Sequence, residues 1–546
     1  MTTPNPHSSG LAASAATRLF AAWAGLAFGL VAIAWLLPGL DGVGLTWDEP
    51  RYFTSVIKIQ DWVAGVVTGP DRAELLSEPV IRETWDWARY WNPHPPAYKA
   101  AMAATEALFG GWLGAIAGFR MASLLFFSGL VGVVAWLAGI TWGRVAGVGA
   151  GLSVLLMPRL VGHAHIGATD MPLAMAWLIA SSGLALFVLG GRRWNLVLGA
   201  AALGFALATK FTGWLLPVSM VLWLALFGRS RRGLLGSLVW GIGGLLVAWA
   251  LNPLAWHHPL GETFRMISES LHREDLVPIS TYYLGRTWGY QVPAHHALVM
   301  TLITTPLPLL VLGTAGLARS VRWLPREPVG MLAVLQVLFF LALMAAPSSP
   351  NHDGVRLFLP MFPFLALLAG SGFGWMVRRL DRMLPERYVL LAGLAAGSVF
   401  FLPPYVQTVR VAPLYLSYYN EAIGGLKGAA AAGMEATYWL DALTPSFLEQ
   451  VNEVVPDGST ITAFPNPEHL VFLQDYGLLK KEIRVTGGLP ADYLVLSARK
   501  ATFSVPQWNI YLNSRPELAV ELDGVELAGL YRWAGDASSE PDPEEP

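Results

Sequence analysis

Apolar runs dominate the first 405 residues. They fall near 19–38, 119–140, 145–160, 171–190, 194–209, 212–228, 234–251, 295–316, 329–346, 357–375 and 388–405. A helix needs roughly 20 apolar residues to cross a bilayer. The pattern therefore predicts an α-helical polytopic membrane domain of about eleven spans over 19–405, after an N-terminal tail, 1–18. A shorter amphipathic piece, Ala97 to Phe109, carries Lys99 and Glu106 and reads as a helix lying on the membrane surface. Past residue 405 the pattern changes. Ser459–Phe464, Ile483–Thr486 and Tyr493–Ser497 alternate like strands, and Pro467 to Leu479 reads as a helix between them. Residues 406–535 are thus a small α/β domain, and 536–546 an acidic tail of disordered composition.

Charge gives the topology a direction. Arg144, Arg192–Arg193, Arg229/Arg231/Arg232, Arg319/Arg322/Arg326 and Arg378/Arg379/Arg382/Arg387 lie in alternate loops, in phase with Arg18 before the first run. Cytoplasmic loops carry the excess of arginine and lysine. The segments 39–118, 161–170, 252–294 and 347–356, the turn around Lys210 and the C-terminal domain are then extracytoplasmic. Of the eleven histidines, all but His7 fall in or beside these outer segments.

Composition agrees with a membrane protein: 54% of the 546 residues are hydrophobic and only 14% charged, against about a quarter charged in soluble domains. The net charge of −2 hides an acidic C-terminal part, with 19 Asp+Glu against 9 Lys+Arg from residue 406 onward. With no cysteine, disulfides and thiolate chemistry are excluded.

Six outer-face motifs hold the candidate chemistry. Trp47-Asp48-Glu49-Pro50-Arg51-Tyr52-Phe53 sets two carboxylates just past the first run, where acids are costly unless they have a role. A plainer reading is that they cap a helix. Asn92-Pro93-His94-Pro95-Pro96-Ala97-Tyr98-Lys99 uses prolines to fix an extended lead into the surface helix. In His163-Ala-His165-Ile-Gly-Ala-Thr-Asp170 a histidine pair precedes an acid at the head of a span. That set fits either three metal ligands or a metal-free hydrogen-bonded cluster. Lys210 in Leu207–Thr212, Arg286 in Thr281–Arg286, and Arg356 closing Asn351-His352-Asp353-Gly354-Val355-Arg356 add cations to the same face.

Taken in this order, WDEPRYF, HPP followed by a lysine, and Asp170 heading a span resemble the polyprenyl-phosphate-dependent glycosyltransferases of the GT-C fold. The resemblance is nearest to the protein O-mannosyltransferase and aminoarabinose-transferase group. LATKFT, YYLGR, TPLPLL and Tyr418-Tyr419-Asn420-Glu421 fit related bacterial members, and the likeness covers most of 19–460. The resemblance implies a sugar donor on a polyprenyl phosphate and a lipid, glycan or protein acceptor, with no nucleic acid. The outer domain is not the β-trefoil of eukaryotic protein mannosyltransferases.

A phosphate leaving group needs no protonation, so one carboxylate base suffices. We give that role to Asp48, with inversion at the sugar carbon, and leave Glu49 to orient the acceptor or to stabilise positive charge developing on the sugar. His94, Lys99, Lys210, Arg286 and Arg356 would bind the donor phosphate. Asp170, with His163 and His165, would complete the site as hydrogen-bond partner or as ligand to a divalent magnesium or manganese ion. The competing class is a polytopic transporter or lipid flippase. Such proteins keep ionisable groups near the bilayer midplane, whereas here they gather at one face.

Overall fold

The computed structural model describes residues 14–89, 92–271, 279–289, 291–347 and 349–533; His7 and the acidic tail lie outside them. Seven helices are long and apolar enough to cross a membrane: Ala15–Gly39, Ala115–Trp142, Asp170–Gly190, Arg231–Leu251, Pro328–Ala345, Arg356–Met383 and Glu386–Arg410. Two bent pairs, Arg144–Leu155 with Pro158–Ala164 and His296–Thr304 with Leu307–Arg322, raise that to nine if each is one span. The runs near 194–209 and 212–228 form the shorter apolar helices Arg193–Leu207 and Phe211–Phe227. Among the described residues seven to nine helices thus qualify by length and apolarity, and the remaining runs lie in shorter helices, because an apolar run does not fix helix length.

The spans differ in how much they are wrapped. The most hydropathic window of Arg356–Met383 is 94% buried and that of Glu386–Arg410 only 11%. Arg356–Met383 is therefore the centre of the bundle, and Glu386–Arg410 faces outward. Leu390, Leu391, Leu394, Val399 and Leu402 are exposed along the latter, as lipid contact requires.

The outer segments cover one end of the bundle. Helix Glu49–Thr68 begins with Pro50 in its first turn, where the missing amide hydrogen costs nothing. Its buried positions Glu49, Tyr52, Phe53, Val56 and Ile59 recur every three or four residues and pack inward. Ala97–Leu113 buries Tyr98, Lys99 and Met102 and exposes Leu108 and Trp112, the division expected of an interfacial helix.

Two sheets complete the outer layer. A hairpin pairs β1 (Thr281–Tyr283) with β2 (Arg286–Trp288). The C-terminal unit is a five-stranded mixed sheet built from β3 (Thr460–Phe464), β4 (Arg484–Val485), β5 (Tyr493–Ser497), β6 (Leu518–Leu522) and β7 (Val525–Arg532). Their order is β4-β3-β5-β7-β6, with β3 parallel to β4 and β5, and β7 antiparallel to β5 and β6. Period-two alternation divides the faces. Leu494 and Leu496 pack with Ile510 of helix Val505–Asn513, while Tyr493 and Val495 join the main core.

Candidate active site

The loop 40–47 leads into the acidic pair and is fixed from two directions. The Gly44 amide donates to the Asp441 carbonyl (3.0 Å) and the Trp47 amide to the Trp439 carbonyl (3.1 Å). A Cβ on Gly44 would stand 2.6 Å from the Leu443 carbonyl oxygen, so only glycine allows this approach. From below, the Arg120 guanidinium donates to the carbonyls of Leu40 (3.1 Å), Val43 (2.9 Å) and Gly44 (3.0 Å).

Glu49 finishes that lower anchor. Its two oxygens accept from Arg120 Nε (2.7 Å) and Nη2 (2.8 Å), the Thr46 amide (2.8 Å) and hydroxyl (3.0 Å), and the Gly167 amide (2.8 Å). Its side chain is wholly buried. The expectation that Glu49 orients the acceptor is thereby corrected: five donors saturate the carboxylate and leave nothing for a substrate. Glu49 positions the loop.

Asp48, one residue earlier, has the opposite surroundings. It occupies the N-cap position of helix Glu49–Thr68 without a side-chain capping bond, which removes the plain capping reading. Its carboxylate accepts from Arg356 Nη2 at 2.5 Å and keeps 23% side-chain exposure. Arg356 is a hub. Its Nε donates to Asp170 (3.1 Å), its Nη1 to Asp353 (3.1 Å), and its guanidinium lies 4.0 Å from the centre of the Trp439 ring. Lys210 pairs with the other oxygen of Asp170, and Arg499 donates to the other oxygen of Asp353 (3.1 Å). Three carboxylates and three cations thus alternate in one largely buried network, a geometry that compensates charge only when complete. In it, burial acts to raise the Asp353 pKa, but Arg499, His352 and Arg356 outweigh burial and hold it below the usual carboxylate range.

The proline-rich motif joins this network through the backbone. The Ala97 amide donates to the Ala208 carbonyl (2.8 Å), and the His94 ring packs edge-on against Phe211 at 5.4 Å, so both flank Lys210. The Tyr98 hydroxyl meets Ser123 Oγ (2.6 Å), which donates to the Ile166 carbonyl (2.6 Å) beside Asp170's loop. Lys99 makes no bond to this network. It is 1% exposed, makes no ion pair among the described residues, and burial lowers its pKa to about 8 against the weaker opposing pull of Asp86.

Arg286 does not join the site: it is exposed on the β1–β2 hairpin, whose turn docks through the Gly285 amide on the Gly433 carbonyl (2.9 Å). The metal reading of the histidine pair fails on donor geometry. His165 sets Nδ1 against the Val161 carbonyl (2.7 Å) and Nε2 against that of Leu36 (3.2 Å), while Asp170 is already held by two cations. Among the described residues no three His, Asp or Glu side chains are grouped to hold a metal ion.

Sequence reasoning missed Arg120, Trp439 and Arg499, and noted Asp353 only as a neighbour of Arg356. Arg120 had a signal, an arginine one residue inside an apolar run. Trp439 and Arg499 had none, since they reach the site only through the fold of the C-terminal unit.

Residues 93–257 match the family model described as dolichyl-phosphate-mannose-protein mannosyltransferase. No curated protein sequence matches the chain. Among solved structures it is similar to ArnT from Cupriavidus metallidurans bound to undecaprenyl phosphate, with a TM-score of 0.50 and 17% identity over 92% of this chain and 97% of that one. It is also similar to the archaeal oligosaccharyltransferase AglB from Archaeoglobus fulgidus, in complex with an inhibitory peptide and a dolichol-phosphate. That TM-score is 0.51, with 10% identity over 89% of this chain and 70% of that one. At such identities the structural likeness is one of fold. The family match covers 93–257, and the structural likeness shows that the chain shares the fold of these two membrane transferases.

Proposed function

We propose that this chain moves a sugar from a polyprenyl-phosphate carrier to an acceptor hydroxyl at the outer face of a bacterial-type cytoplasmic membrane, with inversion and with Asp48 as the general base. The observation that carries the reading is the Asp48–Arg356 pair: a partly open carboxylate held at 2.5 Å by an arginine that is itself braced by Asp170 and Asp353. The phase of the arginine-rich loops supports the outer-face orientation.

In the proposed reaction the acceptor oxygen attacks the anomeric carbon while Asp48 takes its proton. The bond from that carbon to the phosphate oxygen breaks, and its electron pair leaves on the polyprenyl phosphate. A single displacement inverts the centre. Arg356 aims the Asp48 carboxylate and, with Lys210, surrounds the reacting centre with positive charge that favours the departing phosphate. His94 and Lys99 are assigned to the donor headgroup, and Asp170 holds Lys210 and Arg356 in place.

The test is sugar transfer from a labelled polyprenyl-phosphate donor in proteoliposomes. Asp48→Asn is expected to lower turnover by about 10²–10⁴-fold, the usual worth of general-base help, with an unchanged thermal unfolding profile. Turnover near that of the wild type would sink the base assignment.

A further inference from the structure

The buried cations of the outer half divide into those with an acid partner and those without, Lys99, Lys500 and Arg159 being without one among the described residues. Among the described residues Arg120, Lys210, Arg356 and Arg499 each face a carboxylate within hydrogen-bond distance. Arg159, at 2% exposure, does not. Its Nε donates to the Tyr418 carbonyl (3.1 Å), while Nη1 and Nη2 face no acid and have as a polar neighbour the Tyr419 hydroxyl, whose own proton goes to the Glu435 carbonyl (2.7 Å). The guanidinium is boxed by aromatic faces, 4.7 Å from the centre of the Tyr419 ring and 5.9 Å from that of Tyr438. Burying a guanidinium that faces no acid is costly, and such groups are normally satisfied by an anion.

Two of its neighbours are bare. The Tyr438 hydroxyl makes no hydrogen bond, nor does either ring nitrogen of His163, one turn along the same helix, Pro158–Ala164. The internal acid that acts on Arg159, Asp441, accepts from the Thr437 hydroxyl (3.1 Å) and is also faced by the backbone amides of Trp439 and of Asp441 itself. Gly354 has φ +64°, and a Cβ there would lie 2.7 Å from Arg159 Nη1 and 2.8 Å from the Tyr438 ring. Only glycine allows this close approach. The His163 ring packs at 5.6 Å on Trp439, whose indole also carries Arg356.

We infer that Arg159, with Tyr438 and His163, forms an oxyanion-binding subsite one indole ring away from the Asp48–Arg356 pair. Arg159 presents a two-pronged donor matched to a phosphate or carboxylate, and the Tyr438 hydroxyl a third donor. The oxyanion belongs either to the donor's phosphate or to an acid on the other substrate. This assignment extends the glycosyltransferase reading. The titration that tests it contains no transfer step, so its failure and that of the Asp48 assignment are distinguishable.

Full-length protein in lipid nanodiscs is titrated with inorganic phosphate and with a short-chain polyprenyl phosphate, using the uncharged polyprenol as control. Arg159→Gln is expected to weaken phosphate binding at least about tenfold, the worth of a charged hydrogen-bond pair, with polyprenol binding unchanged and partial recovery in Arg159→Lys. Loss toward both phosphates assigns the subsite to the donor headgroup. Loss toward inorganic phosphate alone assigns it to an acidic acceptor. Unchanged affinity for both in a folded Arg159→Gln protein, or no phosphate binding by the wild type, overturns the inference. Should Arg159→Gln not fold, Tyr438→Phe decides: a loss of about threefold supports the subsite, and unchanged phosphate affinity overturns it.

Discussion

Asp48 and Glu49 are chemically alike and adjacent, yet they sit at opposite ends of what a buried carboxylate can do. Glu49 accepts five hydrogen bonds and is sealed from solvent. Asp48 shares one arginine with two other acids and stays partly open. Saturation separates them: a carboxylate with every lone pair engaged holds structure, and one with an oxygen to spare can take a proton. The contrast also shows why the pair is adjacent, because fixing Glu49 fixes the start of the helix from which Asp48 projects.

The comparison breaks most visibly at Arg120. Removing it leaves Glu49 buried with an uncompensated charge, so Arg120→Met is expected to cost about 3–5 kcal/mol of stability, read as a large drop in thermal unfolding temperature in detergent. Glu49→Gln is expected to cost less, because the amide oxygen still accepts from Thr46 and Gly167. If Arg120→Met unfolds like the wild type, the anchoring role assigned to Glu49 is wrong.

Arg356→Lys sharpens the other side. A lysine keeps the charge but cannot bridge Asp48, Asp170 and Asp353 at once. Losing one or two charged hydrogen bonds of this kind is worth about 1.5–3 kcal/mol each, so the unfolding temperature should fall, by less than in Arg120→Met, while turnover drops at least tenfold in the transfer assay. Equal losses in Arg356→Lys and Arg120→Met stability would erase the distinction between the two clusters.

The smallest effect is a pH dependence at Lys99. Burial lowers its pKa to about 8 from the model-peptide value of 10.5, so its charge is lost as pH rises through about 8. Affinity for the polyprenyl phosphate should weaken above that pH, and Lys99→Arg should hold it to higher pH. The stability term has the reverse sign. The folded state favours the neutral amine, so this residue's contribution to stability grows between about 8 and 10.5. A donor affinity flat across that range in the wild type would remove Lys99 from the headgroup.

The apolar runs made the bundle legible, and the order of the outer motifs made much of the site so. Asp48, Asp170, Lys210 and Arg356 lie in four separated stretches, and all four meet in the ion network. The role of Glu49 was not legible. Successive residues at a helix start are rotated by about 100°, so neighbours in sequence face different surroundings, and only the fold tells which faces Arg120. Arg286 misled for a related reason, since a cation in an outer-face motif is indistinguishable in sequence from one at the site. Trp439 and Arg499 meet residues hundreds of positions earlier, through pairings that no local pattern encodes.

The backbone bonds from Gly44 and Trp47 to Asp441 and Trp439 carry a consequence for how the protein is made. The loop that leads into Asp48 is among the first parts of the chain to leave the ribosome, but its clasp is nearly four hundred residues behind. A nascent chain inserts most of its helices while this loop has only Arg120 to close on. The loop therefore takes its final form only when the last fifth of the polypeptide arrives to clasp it.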